Sequence, residues 1–70
     1  MNTVFHSRLA ATRKDRGLNQ KELAVGIGMT QGAVSRWENG EQLPDIESLR
    51  KLCLFLDVSA DYLIGLKDVE

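Results

Sequence analysis

The sequence predicts an all-α fold: one compact domain of five short helices. Residues that cap helix N-termini recur along the chain, and each is followed by apolar residues at helical spacing. Glycines stand where these patterns end, as is typical of helix C-termini. No segment shows the alternation typical of a strand. The length of 70 residues allows a single domain over 1–70, with 66–70 predicted as a frayed tail.

The first helix is predicted from about Thr3 to Arg16. Phe5 and Leu9 share one face because they lie one turn apart, and Gly17 follows as a typical residue after a helix end. We therefore expect the Phe5 side of this helix to face the core.

Two short capped helices come next. Asn19 is a typical N-cap and Glu22 completes a capping box, so helix 2 is predicted to run to about Ile27. Thr30 repeats this pattern, so helix 3 is predicted over residues 31–39. The short turn between them contains a glycine, and the pair is therefore predicted to form a helix-turn-helix.

The last two helices are predicted from Asp45 and Ser59 as N-caps. Helix 4 runs over 46–56, and Tyr62 and Leu63 of helix 5 are expected to close the core. The expected core stripe of helix 4 consists of Ile46, Leu49, Leu52, Cys53 and Leu56.

Composition argues against several classes of function. One cysteine and one histidine provide neither a disulfide nor a metal site built from soft ligands. We find no catalytic constellation and predict no enzyme, no metal and no cofactor. The absence of a disulfide framework fits a reducing cytoplasm, where we place the chain. No apolar run is long enough to span a membrane, so we expect no membrane partner.

The charge distribution is uneven although the net charge is −1. Residues 1–40 carry six basic and three acidic side chains, whereas residues 41–70 carry three basic and seven acidic ones. A phosphate backbone would meet a basic half attached to an acidic half.

Helix 3 separates into two faces on a helical wheel. The polar arc contains Gln31, Gly32, Ser35, Arg36 and Asn39. Such an arc suits the major groove of DNA, since Gln pairs with adenine edges and Arg with guanine edges. The alternative is an ordinary solvated face.

Glu38 lies on the inward arc of helix 3, where a carboxylate needs a partner. Arg13 lies on the buried side of helix 1, and we predict an ion pair between the two. The alternative places Glu38 at the rim, in water.

Several segments together resemble the lambda-repressor/Cro (Xre-type) helix-turn-helix family. They are GLNQKELA at 17–24, GMTQ at 28–31, VSRWENG at 34–40 and LDVSADYLIG at 56–65, with Arg13 before them. The resemblance implies a five-helix lambda-repressor-like domain that reads DNA with helix 3. It implies that Gln20 binds a phosphate and braces the first recognition residue, and that Arg13 and Glu38 match a buried ion pair.

The candidate DNA-binding residues are Gln20, Lys21, Thr30, Gln31, Gly32, Ser35, Arg36 and Asn39. The chain departs from the family in the loop at 41–43, which lacks the basic residues that several relatives carry there. Gly32 also removes a side chain from a usual reading position.

These observations predict a sequence-specific regulator of transcription, a repressor, that binds a palindromic operator in double-stranded DNA. We expect a homodimer, because one recognition helix reads only a few base pairs. Leu54 and Phe55 fall outside the core stripe of helix 4 and are the interface candidates. The alternative is an antitoxin-like or adaptor module that uses the same fold to bind a protein.

Overall fold

The computed structural model describes residues 4–70 and contains five α-helices and no strand in that range. They are α1 (Val4–Asp15), α2 (Gln20–Ile27), α3 (Gln31–Glu38), α4 (Ile46–Leu56) and α5 (Ala60–Leu63). The predicted all-α class with five short helices is confirmed. The predicted helix start at Thr3 lies outside the described residues. None of the five helices is both long and apolar enough to cross a bilayer.

The predicted N-caps all act as caps. The Asn19 side chain accepts the Glu22 N–H at 2.7 Å, and the Glu22 carboxylate accepts the Asn19 N–H at 2.9 Å. Thr30, Asp45 and Ser59 each accept the N–H three residues further on, at 3.1, 2.8 and 3.0 Å. These bonds satisfy backbone donors that the first helical turn leaves unpaired. The capping residues therefore fix where α2 to α5 begin.

The turn between α2 and α3 depends on Gly28, whose φ of +70° lies in the left-handed region. Glycine adopts this conformation without strain. The Met29 N–H then reaches the Ala24 carbonyl at 2.9 Å. This bond closes the end of α2 and turns the chain directly into the cap of α3.

All five helices contribute to one apolar core. The side chains at its centre are fully enclosed, and burial of each large aliphatic side chain stabilises the fold by roughly 1.5–3 kcal/mol. The core consists of Phe5, Leu9, Leu23, Ala24, Ile27, Ala33, Val34, Trp37, Leu52, Leu56, Val58 and Leu63. Since α3 contributes three of these residues, its orientation is set by the core.

The predicted core stripe of α4 is wrong at Ile46, which is 82% exposed. The fully buried residues of α4 are Ser48, Leu52 and Leu56. On a helical wheel with Ile46 at 0°, these buried residues lie between about 200° and 280°, whereas the predicted stripe lies between about 240° and 360°. Ser48 and the indole of Trp37 line the same surface depression. The buried arc therefore centres on Leu52 and lies away from Ile46.

Residues 66–70, predicted as a frayed tail, are exposed and form no helix. Arg8 of α1 and Arg16, which directly follows that helix, hold this segment. The Nη1 atom of Arg8 donates to the Lys67 carbonyl at 2.6 Å, and the Nη2 atom of Arg16 donates to the Glu70 carboxylate at 2.7 Å. The tail is therefore attached to α1 in this structure.

Candidate nucleic-acid interface

The two faces of α3 differ in exposure as the wheel predicts. Ala33, Val34 and Trp37 are buried in the core. The polar residues lie on the other side, where most are exposed and one, Ser35, is partly buried: Gln31, Gly32, Ser35, Arg36 and Asn39. The core thus fixes one face of α3 and leaves the polar face in solvent.

Arg13 and Glu38 meet as an ion pair. Arg13 Nε donates to Glu38 Oε2 at 2.7 Å and Nη2 donates to Oε1 at 2.9 Å. The side chains are only 10% and 5% exposed. The hydrogen bond to Glu38 is the main reason that the pKa of Arg13 lies above its ordinary value. The third guanidinium nitrogen, Nη1, donates to the Leu18 carbonyl at 2.8 Å, so the buried charge is well satisfied.

Gln20 joins this pair. Its Nε2 donates to Glu38 Oε1 at 3.1 Å. The resemblance implies that Gln20 braces the first recognition residue, Gln31, but the structure directs its amide to Glu38 at the other end of α3. The start of α2, the end of α3 and the buried side of α1 are therefore connected through one carboxylate.

The remaining candidates at the helix starts lie in solvent. Lys21 is exposed at the second position of α2, and Gln31 is exposed at the first position of α3. The Thr30 oxygen accepts the Ala33 N–H, which leaves the hydroxyl proton able to donate to an external acceptor such as a phosphate.

Arg36 of α3 and Asn39, the residue that caps the end of this helix, are held by the loop that follows. Arg36 Nε donates to Gln42 Oε1 at 3.0 Å. Asn39 Nδ2 contacts Ser35 Oγ at 3.4 Å and Glu41 Oε1 at 3.2 Å. The sequence shows only that this loop lacks basic residues, and the contact between Gln42 and Arg36 is not predicted from it. A glycine directly after a helix end, which folds the next residues back, was the available signal.

Leu54 and Phe55 are 67% and 45% exposed. Together with Val25, which is 72% exposed, they line one surface groove. The Phe55 ring lies directly over Gly26, where a Cβ atom would overlap it. Phe55 is therefore partly covered by α2, and Leu54 is the more accessible of the two interface candidates.

Comparison with known proteins identifies the family that shares this arrangement of helices. A family model described as helix-turn-helix matches residues 9–63, which include α2, α3 and the turn between them. The chain belongs to this helix-turn-helix family. The predicted resemblance to the lambda-repressor/Cro type is thereby confirmed.

Named members of the helix-turn-helix family include both repressors and activators of transcription. The chain is 36% identical over 62 residues to the transcriptional repressor RstR of a cryptic phage of Vibrio cholerae, covering 89% of this chain and 56% of that protein. It is 33% identical over 61 residues to the transcriptional activator BcrR of Enterococcus faecalis, covering 87% of this chain and 30% of that protein.

The solved structures include a close match. The P22 c2 repressor in complex with a synthetic operator superimposes with a TM-score of 0.87 and 32% identity, covering 94% of this chain and 100% of that chain. The chain spans between 30% and 56% of the length of the two named relatives. The comparison thus establishes the helix-turn-helix domain that these proteins share.

Proposed function

We propose that this chain is a sequence-specific regulator of transcription, a repressor, that binds a palindromic operator in double-stranded DNA as a homodimer in the cytoplasm. The observation that carries the proposal is the division of α3. Its apolar face is locked into the core, and its exposed face presents Gln31 and Arg36.

The dimensions of α3 suit the major groove. An α-helix with its side chains is about 10–12 Å in diameter, and the major groove of B-DNA is about 12 Å wide. Gln31 would pair with an adenine edge and Arg36 with a guanine edge, while the bare backbone at Gly32 allows close approach. These pairings supply the sequence specificity.

The surrounding polar residues suit the phosphate backbone. Lys21 is positively charged, and Gln20, Thr30 and Asn39 carry neutral donors at the ends of α2 and α3. Such contacts set the register of a protein on the duplex and carry no base information directly. Repression needs no further chemistry, because an occupied operator excludes other proteins from the same DNA, so we propose neither enzymatic activity nor a cofactor.

A second function, an antitoxin-like or adaptor module, draws on a different observation. The groove lined by Val25, Leu54 and Phe55 is apolar and exposed, and exposed apolar surface is typical of protein interaction sites. The same groove serves a homodimer. DNA selection separates the two, because an adaptor would enrich no sequence.

The decisive experiment is selection of bound duplexes from random DNA, with an enriched palindrome as the expected result. On that operator, Arg36→Ala should weaken specific binding by about 1–3 kcal/mol and relax one base pair per half-site. Arg50→Ala is the matched control, because it removes an exposed arginine that pairs with Glu47 on α4. No enrichment, or equal losses for the two variants, would refute the proposal.

A further inference from the structure

The loop after α3 folds back against the last turn of that helix. Gly40 has a φ of +76°, a conformation that favours glycine. The Glu41 N–H then donates to the Arg36 carbonyl at 2.9 Å, and the Gln42 N–H donates to the same carbonyl at 3.3 Å. The Glu41 bond forms the Schellman pattern of helix ends together with the Gly40 N–H, which donates to the Trp37 carbonyl at 3.3 Å. The path of the loop places Gln42 beside Arg36, six positions earlier in the sequence.

The side chains of these two residues are also joined. Arg36 Nε donates to Gln42 Oε1 at 3.0 Å. A guanidinium has only donors, so the amide oxygen of Gln42 must face it. Gln42 is therefore held to Arg36 through both its backbone and its side chain. A long exposed side chain is normally free to sample many rotamers, whereas this bond restrains Arg36 at its Nε atom.

The other end of the guanidinium lies over Gly32. Its Nη1 atom is 3.2 Å from the position that a Cβ at residue 32 would occupy. That distance is tighter than an ordinary van der Waals contact. The missing side chain at Gly32 thus makes room for the arginine. With Nε engaged by Gln42, the two terminal nitrogens form the end of the guanidinium that remains for a ligand.

We propose that Gln42 is a positioning residue for DNA reading: it holds Arg36 so that Nη1 and Nη2 meet the O6 and N7 acceptors of one guanine. Gly32 supplies the space for this conformation. The inference rests on the proposed function, since it assigns the geometry by which Arg36 reads a base. It also gives the loop at 41–43 a role in specificity in place of phosphate binding.

The positioning contact is tested first without DNA. In NMR spectra of the free protein, the Arg36 Nε–H proton should exchange with water more slowly than that of Arg50, whose ion pair with Glu47 uses Nη1. Gln42→Leu should remove this difference, and Gln42→Glu should keep it because an acceptor oxygen remains. Equal exchange of the two arginines in the wild-type protein would overturn the proposal.

The consequence for specificity is tested on the selected operator. Gln42→Leu should lower the preference for the guanine that Arg36→Ala relaxes by about three- to tenfold, the range expected for loss of one hydrogen bond. Gln42→Glu should retain that preference. In the Arg36→Ala background, Gln42→Leu should have no further effect on base preference.

The outcomes separate this inference from the proposed function. If Arg36→Ala changes no base preference, the proposed reading by α3 fails. If Arg36→Ala relaxes one base pair and Gln42→Leu does not, only the positioning role fails. An equal effect of Gln42→Leu with and without Arg36 would mean that Gln42 acts on DNA directly, which also overturns the proposal.

Discussion

The guanidinium of Arg13 grips both carboxylate oxygens of Glu38, through Nε at 2.7 Å and Nη2 at 2.9 Å. Such a bidentate pair is geometrically specific, and its two members belong to α1 and α3. Because Gln20 of α2 bonds to the same carboxylate, the pair fixes the three helices around the turn. The orientation of the polar face of α3 therefore depends on a residue of α1 that lies outside that face.

Arg13→Met should destabilise the domain by about 3–5 kcal/mol, because the Glu38 charge would be left buried without its partner. Arg13→Met combined with Glu38→Leu should recover part of that loss, since the double variant strands no charge. Urea unfolding measures both free energies. Lys14→Met is the control, because Lys14 is exposed on the same helix. Equal stability of the wild type and Arg13→Met would contradict this prediction.

The sequence predicts the Arg13–Glu38 pair because each residue lies on the inward face of its own helix. Arg13 lies on the face of α1 that includes Phe5 and Leu9, and Glu38 lies on the inward arc of α3, so helical periodicity alone brings the two charges to the core. The caps predict the starts of α2 to α5 because each is a local bond over three residues.

Features that depend on neighbours from other helices escape this reasoning. Ile46 has an apolar side chain at a plausible spacing, yet it is exposed and Ser48 is buried, because the packing of the other helices decides which arc of α4 faces the core. The packing of Phe55 on Gly26 joins two helices, and nothing in either local pattern reports it. The hydrogen bond between Arg36 and Gln42 can be predicted only when the path of the loop backbone is known.

Gly26 and Phe55 should be energetically coupled. Replacing a helical glycine by alanine normally stabilises a helix by about 0.5–1 kcal/mol. Gly26→Ala should fail to show this gain in the wild type, because the new methyl group overlaps the Phe55 ring. The gain should appear in the Phe55→Ala background, as a double-mutant cycle of unfolding free energies would reveal.

Gly32→Ala provides the comparison for that cycle. Its methyl group meets Arg36 Nη1 at 3.2 Å and Thr30 Oγ1 at 3.9 Å and does not meet Phe55, so the effect of Gly32→Ala should be the same whether or not the Phe55 ring is present. Additive effects of Gly26→Ala and Phe55→Ala would show that the ring does not restrict position 26.

The N-cap of α4 should make stability depend on pH. Asp45 accepts the Ser48 backbone N–H, and this bond lowers the pKa of the Asp45 carboxyl below its ordinary value of 3.8. The stabilisation is therefore present above the ordinary pKa and is lost as the pH falls through the lower, folded-state pKa. Asp45→Asn keeps a good cap that does not titrate.

Urea unfolding at pH 6 and pH 3 provides the measurement for Asp45. Stability should fall less on acidification in Asp45→Asn than in the wild type. Glu47→Gln is the control, because it removes a neighbouring exposed carboxylate and leaves the cap intact. An identical fall in the wild type and Asp45→Asn would exclude a titrating cap at this position.

The proposed homodimer should depend on the groove lined by Val25, Leu54 and Phe55. The described part of the chain measures 27 × 24 × 21 Å, so two copies in contact have centres about one body width apart. Recognition helices that read successive major grooves lie roughly 34 Å apart. Two such domains related by a two-fold axis meet that spacing if each α3 lies roughly 5 Å farther from the axis than the centre of its own domain.

Leu54→Lys is the sharper test of this interface than Phe55→Lys, because Leu54 is 67% exposed and Phe55 also packs on Gly26. We expect a folded monomer, since an interface cannot bury the new charge without a partner, and binding to a two-half-site operator should weaken greatly. Analytical ultracentrifugation and operator titration measure the two effects. Leu43→Lys, at an exposed leucine outside the groove, should leave dimerisation unchanged. If Leu43→Lys abolishes dimerisation and Leu54→Lys does not, the interface lies at the loop before α4 and the groove assignment is wrong.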